Sequence, residues 1–420
     1  SDLAGLLLVA DLLRGLPEAD EWRETATAGL HAHAAVQTLA DGADFEASIP
    51  YHRLTTEMLL AAVLVLERRG GDAAALRPLL RRRIDYTAHY TKPDGLAPQI
   101  GDNDDGRFLV LGEHGADRRD HRALLSVAAV LFDDPALLAL AGDRCEDALW
   151  VHGPASLDRV AARARAIEPR VTSALFREAG TVILRGGGLY VHVEAGGVGL
   201  SGHGGHAHND TLSIEVQAEG EDLIVDPGTG GYTADLVVRD RFRSTAAHNT
   251  VRVDGSEINP LPANPFRLPG IDRPSIARAV FRRHFDLIEA LHRGYARLAD
   301  PVVHRRILLL NRTTRRLLIE DALEGKGTHR LEWFFHLAPR VLGRIEEDGR
   351  SFLGHAGKVR FRLRADQAPE GVRFTLAPDL FSPGYGRTEP ATTLCLAWEG
   401  GLPVSARFHL CVEDVRREEA

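Results

Sequence analysis

Through the first 165 residues apolar side chains recur three and four apart, the spacing of helices that bury one face. Residues 18–40, 55–70, 72–90, 117–132 and 134–150 carry the pattern, and Pro, Gly or Asp punctuates the joints between them. Thr55 and Thr56 stand at the head of the second run and are able to cap it. Five or six helices in antiparallel succession suggest a helical array or an incomplete toroid, with loops at one end lining a cleft. After residues 155–171 the period changes to two. Segments 180–196, 210–228, 249–258, 302–323, 329–339, 358–365, 371–377, 392–400 and 404–415 alternate apolar and polar positions between Gly and Asn turns. They predict a large antiparallel β domain of stacked sheets. The expected division is therefore a helical domain over 1–165 and a sheet domain over 170–420, an α+β multidomain chain. The Pro-rich stretch 258–270 reads as a long loop inside the second domain.

Composition changes this picture little. The chain has 420 residues, 44% hydrophobic and 26% charged, which suits globular domains with sizeable cores. Its formal net charge of −8 lacks the basic excess of a nucleic-acid binder. A polyanionic substrate would be repelled at long range and must meet a local cationic pocket. Three scattered cysteines make neither a disulfide framework nor a Cys-x-x-Cys metal site. No run of 18 apolar residues predicts a membrane span. The start lacks the basic region and cleavage pattern of a signal peptide, and it begins in mid-helix without methionine, so the chain reads as a fragment.

Candidate chemistry concentrates in residues 202–251, which hold four of the 19 histidines. His206 and His208 stand at i, i+2 and would leave one face of a strand. Asp226 ends the next strand before a Pro-Gly turn, and His248 opens another. Hairpin connections would bring His208, Asp226 and His248 together. Two imidazoles and a carboxylate make a tetrahedral zinc site with one position left over, and Asp210 is placed to orient a ligand. The plainer alternative is that these groups hydrogen-bond loop backbones, with Asp226 opening a turn. A cupin-type site also uses His-x-His but needs a Glu three or four residues further on, and Glu215 comes too late.

Three segments together resemble the heparinase II/III-like polysaccharide lyases: "DGADFEASIPYHRLTTEMLL" (41–60), "PQIGDNDDGRFLVLG" (98–112), and "GGHAHNDTLS…VDPGTGGYT…RDRFRSTAAHNTVRVDG" within 204–255. Their order and spacing match as well, and the last is the most specific. The resemblance implies an (α/α) toroid followed by antiparallel β-sheets, and β-elimination at the C4–O bond of a uronate in an acidic polysaccharide. Heparan, hyaluronan, chondroitin, alginate and bacterial exopolysaccharides all present such a sugar. It also implies a periplasmic or secreted setting.

Residue by residue, the resemblance makes Tyr51 the leading acid/base, with His52 and Arg53 beside it to lower its pKa or bind carboxylate. His206 matches a histidine that contacts the uronate carboxylate or shares proton transfer. His208, Asp226 and His248 match zinc ligands, and Tyr232 matches a second active-site tyrosine. Arg239 and Arg243 can bind substrate anions or pair structurally with Asp240 or Asp235. In "GDNDDGR", Asp102, Asp104 and Arg107 fix a loop bordering the cleft; the spacing does not fit a calcium loop. An Asn-His pair of the family would fall just before Ser1. Besides a lyase, the same fold fits a non-catalytic polysaccharide-binding or biosynthesis-associated protein. A hydrolase would want two carboxylates across a cleft, and no such pair stands outside "GDNDDG", whose Asp residues are clustered.

Overall fold

The computed structural model describes residues 1–112 and 117–413, so the end of the expected sheet domain, 414–420, lies outside the described residues. The chain forms two compact units. One comprises Ser1–Thr91, Gly95–Ala97 and Asp105–Val171; the other comprises Lys92–Asp94, Pro98–Asp104 and everything from Thr172 onward.

The first unit is helical: α1 (Asp2–Leu12), α2 (Ala19–Gln37), α3 (Ile49–Arg68), α4 (Leu76–Tyr90), α5 (Arg122–Leu131), α6 (Pro135–Ala141), α7 (Glu146–His152) and α8 (Pro154–Ala164). Leu60, Val63, Leu80, Ile84, Leu125 and Ala128 lie in its core, and α5 is buried at every position from Ala123 to Val130. The threonines do not cap α3. It starts one and a half turns earlier, where Ser48 Oγ accepts the Tyr51 N–H and Pro50 occupies the first turn. Thr55 and Thr56 sit inside the helix and donate back to the carbonyls of Tyr51 and His52. Tyr51, His52 and Arg53 thereby fall in the first turn and a half. By length and composition α3 could cross a membrane, but 72% of its most apolar window is buried in the protein, as in a core helix.

The second unit begins with β1 (Ala174–Phe176), β2 (Thr181–Gly186), β3 (Leu189–Glu194), β4 (Ile214–Ala218) and β5 (Glu221–Ile224). A short helix, α9 (Leu236–Arg243), precedes β6 (Val251–Val253). Then come β7 (Ser275–Phe281), β8 (Phe285–His292), β9 (Val302–Asn311), β10 (Arg316–Gly325), β11 (Thr328–Leu337) and β12 (Leu342–Ile345). The last are β13 (Ser351–Ala356), β14 (Val359–Gln367), β15 (Thr375–Gly384), β16 (Arg387–Gly401) and β17 (Val404–Val412). They make two antiparallel sheets, in the orders β1-β2-β3-β4-β5-β11-β16-β15, with β6 beside β11, and β12-β13-β14-β17-β10-β9-β8-β7.

Val191, Val193 and Val216 of the first sheet share one core with Leu308, Leu310, Leu317 and Ile319 of the second. Alternation along β3 and β4 sends Tyr190, His192, Glu194, Glu215 and Gln217 to the other face, yet these are buried as well. Lys92 enters there and gives its ammonium to Asp222 at 2.7 Å.

A second buried polar group lies in the other sheet. His292 and His304 are cross-strand neighbours, as are Arg306 and Asp321. Asp321 accepts from Arg306 Nε (2.7 Å) and Nη2 (2.8 Å), and from His304 Nε2 (2.8 Å). His304 Nδ1 is then left to accept from His292 Nε2 (3.2 Å), and His292 Nδ1 accepts the Gly294 N–H. Burial, with His304 beside it, holds His292 well below its ordinary range; burial also lowers His304, only partly offset by Asp321. Burial opposes ionisation of Asp321, but Arg306 outweighs it and keeps the carboxyl low.

All three groups therefore have depressed folded-state values. The unfolded chain takes up protons first at its histidines, near pH 6.5, and then at Asp321 near pH 4, so the native state loses stability as pH falls. The urea midpoint should drop from about pH 7 to about pH 5, and less steeply in His292→Leu; equal slopes in the two proteins would contradict this.

Candidate metal centre and active site

The four crowded histidines do not lie on strands. The strand expected from His206 begins only at Ile214, and residues 203–213 form an irregular loop closed by left-handed Leu212 (φ 64°). His206 and His208 nevertheless point the same way, because Asp102 holds both. Its Oδ2 lies 3.2 Å from His206 Nδ1 and its Oδ1 lies 2.9 Å from His208 Nε2. The Asp102 N–H also donates to the His206 carbonyl at 2.9 Å. Arg239 completes the cluster with a two-pronged ion pair to the same carboxylate. Burial opposes the charge on Asp102, but the hydrogen bonds from His206 and His208, with Arg239 beside them, keep it well below the usual carboxylate range.

His208, Asp226 and His248 converge, with one ligand-type atom from each within 4.8 Å of the others. All three are buried. The His208 and His248 rings stand 5.4 Å apart, and Asp226 Oδ2 lies 2.8 Å from His248 Nδ1. Asp226 Oδ1 accepts the Gly228 N–H at 3.0 Å, the turn its Pro-Gly sequence predicts. Gly228 (φ 85°) is required there, since a Cβ would lie 2.6 Å from the Ser382 carbonyl oxygen.

Two observations fit these residues to a metal ion. His208 Nδ1 and His248 Nε2 are buried without any hydrogen-bond partner, an expensive condition for polar atoms in a protein interior. Carboxyls also crowd around Asp226: burial drives Asp210 and Glu215 each up to about 7, and Glu194 well above its ordinary value. Burial lowers His208 and Asp102 opposes it, so that ring is neutral, as a ligand must be. Burial works against the charged form of His248 too, but the Asp226 carboxylate outweighs it and raises this imidazole. The His208–Asp102 pair is the carboxylate–imidazole arrangement that orients metal-binding histidines. Asp102, from the "GDNDDGR" stretch, takes the orienting place foreseen for Asp210.

The other expected residues are more dispersed. His206 keeps a fifth of its side-chain surface exposed. Tyr232 is buried edge-on between Phe266 (5.4 Å) and Tyr385 (4.9 Å), with the Arg239 guanidinium 5.2 Å from its ring. Arg239 and Arg243 are each 1% exposed. Arg239 pairs with Asp102, not Asp235, which caps α9 instead, and also donates to the Pro265 carbonyl. Arg243 pairs with Asp240 and donates to the carbonyls of Pro262 and Arg267. Both guanidiniums are thus committed to the 258–270 loop and its neighbours.

In the helical unit Tyr51 is half-buried, while His52 and Arg53 are turned inward. His52 Nε2 meets the Arg83 carbonyl and Thr87 Oγ1; Arg53 donates to the carbonyls of Gly106 and Arg118. Consecutive helical residues point about 100° apart, so adjacency to Tyr51 in sequence does not give a shared face. Arg107 pairs with Glu57 at 3.2 Å.

A helical unit followed by paired antiparallel sheets is the architecture on which the comparisons agree. Residues 2–111 match the heparinase II/III N-terminus and residues 168–415 match the heparinase II/III-like C-terminal domain; the chain belongs to this family. Among solved structures it resembles the heparinase III-BT4657 gene product (TM-score 0.76, 16% identity, covering 98% of this chain and 58% of that one). It also resembles heparan sulfate lyase HepC from Pedobacter heparinus (0.75, 15%, 99% and 60%). A more distant likeness is the Streptomyces coelicolor A3 chondroitin AC lyase in complex with chondroitin sulphate (0.56, 12%, 95% and 59%). The chain thus spans about three-fifths of the length of these structures. No curated protein matches it.

Asp102→Asn should weaken uptake of a divalent transition metal by about 10- to 100-fold, because His208 loses its orienting carboxylate. Chelator competition with zinc measures this, and an unchanged affinity in a folded variant would remove Asp102 from the centre.

Proposed function

We propose that the chain is part of a polysaccharide lyase that cleaves a uronate-containing acidic polysaccharide by β-elimination, with zinc held by His208, Asp226 and His248. The observation that carries this reading is the pair of buried, unpartnered imidazole nitrogens beside Asp226, next to a histidine that still reaches solvent. When bound, zinc supplies fixed positive charge that offsets the buried carboxyls and ties three loops together.

The chemistry follows from what the reaction demands. The proton on C5 of a uronate is weakly acidic, so the sugar carboxylate must be neutralised as charge develops on it. His206, held by Asp102 through Nδ1 and still partly exposed, suits contact with that carboxylate or transfer of a proton beside it. Tyr51 is the proposed base at C5 and acid at the leaving O4. Its support is the family motif and a backbone fixed by the Ser48 cap. Tyr232 stands as a second tyrosine, its ring braced by Arg239. His52 and Arg53 hold the first turns of α3, and Arg239 and Arg243 hold the loops around His206; their committed donors suit support better than contact with sugar.

A panel of uronate polysaccharides assayed for the ultraviolet absorbance of an unsaturated product tests the reading. Tyr51→Phe should lower the rate by about 10²-fold or more. Saccharide binding without unsaturated product from any member would favour a binding protein of the same fold, and a Tyr51→Phe rate equal to wild type would take Tyr51 out of the mechanism.

A further inference from the structure

The three proposed ligands come from three separate segments, at 208, 226 and 248, none of them within a strand. Something must hold those segments in register, and one residue bonds to the chain beside each of them. Asn249 is fully buried. Its Nδ2 donates to the Ile214 carbonyl (2.8 Å), at the end of the His208 loop, and to the Val225 carbonyl (2.9 Å), one residue before Asp226. Its Oδ1 accepts the His336 N–H (2.6 Å) from β11, and its own N–H donates to Ser213 Oγ (2.9 Å). Asn249 is itself the neighbour of His248. Two donors and one acceptor on a short stem are what these partners require, and only a primary amide offers them.

The Asn249 carbonyl is held in turn. Arg306 Nη1, from the second sheet, donates to it at 2.5 Å and to the Leu212 carbonyl at 2.7 Å. Leu212 is the left-handed residue that closes the His208 loop, a conformation that costs about 1–3 kcal/mol and persists only where its surroundings enforce it. Its N–H is bound by the Glu194 carbonyl at 2.6 Å and its carbonyl by Arg306. Arg306 is aimed by its two-pronged pair with Asp321, and Asp321 by the His304–His292 chain, in which every donor finds an acceptor.

We infer that Asn249 and Arg306 together form a clamp that positions the three metal ligands, Asn249 fixing the spacing of the segments and Arg306 fixing the turn after His208. The inference rests on the zinc reading above. Neither residue touches the metal or the sugar; both act through the backbone.

Zinc affinity, read by chelator competition, and the visible spectrum of cobalt-loaded protein test the clamp, with far-UV circular dichroism to report folding. Arg306→Lys keeps a charge beside Asp321 but loses the carbonyl contacts, and should bind zinc about 10- to 100-fold more weakly with a changed cobalt spectrum. Asn249→Asp, which sets an acceptor against two carbonyls, should lose at least as much. Where either variant fails to fold, Ser213→Ala, removing one contact, should still weaken zinc binding several-fold. Folded variants with wild-type zinc affinity and cobalt spectrum overturn the clamp. If wild type binds zinc and His208→Ala does not, that result falls on the clamp alone; a wild type that takes up no zinc overturns both readings.

Discussion

A carboxylate withdrawn from water must be matched by donors or positive charge, and Asp102 shows how much structure that requirement can organise. One fully buried side chain takes hydrogen bonds from two histidines and a bidentate arginine. Removing the carboxylate would strand a buried guanidinium and free both rings at once. The loop at 203–213 has no ladder of its own, so its geometry is borrowed from this ion cluster and from Asn249. Asp321 repeats the arrangement in the second sheet with one arginine and one histidine. The two clusters differ in one respect. The Asp321 chain closes on itself with every ring nitrogen used, whereas the chain through Asp102 ends at a ring nitrogen with nothing to bond. In the zinc reading proposed above, that open end is the atom a metal ion would take up.

Much of the architecture was legible from periodicity. Apolar spacing of three to four marked the helices of the first unit, and alternation marked long strands such as β9, β10 and β17, because each buries one face fully and the other only in part. Alternation misled at His206 and His208, where i, i+2 spacing suggested a strand and the chain adopts a loop. The paired orientation was correct in outcome but produced by an acceptor 104 residues away. Thr55 and Thr56 misplaced the start of α3 for a similar reason: a threonine mid-helix satisfies its hydroxyl on the preceding turn as readily as it caps one.

The candidate ligands were readable because His and Asp beside turn signals are local features. What holds them was not. Asp102 lay inside an acidic stretch that read only as a loop bordering the cleft, and Asn249 looked like a strand residue. Arg306 sat among many arginines in a chain with only three lysines. Each acts over separations at which sequence spacing carries no geometric information. The inward turn of His52 and Arg53 shows the converse, that nearness along a helix does not by itself give side chains a shared face.

The assignment of Lys92–Asp94 and Pro98–Asp104 to the sheet unit has a practical meaning for anyone dissecting the molecule. The change of period near residue 170 invites excision of the β region as a free-standing piece. Such a piece would leave behind the lysine that neutralises Asp222 and the aspartate that Arg239 grips. Its sequence would be intact from the first strand onward, yet two of its buried counter-ions would be missing. The smallest autonomous version of the sheet half is therefore discontinuous in sequence, and the stretch from 92 to 104 has to travel with it.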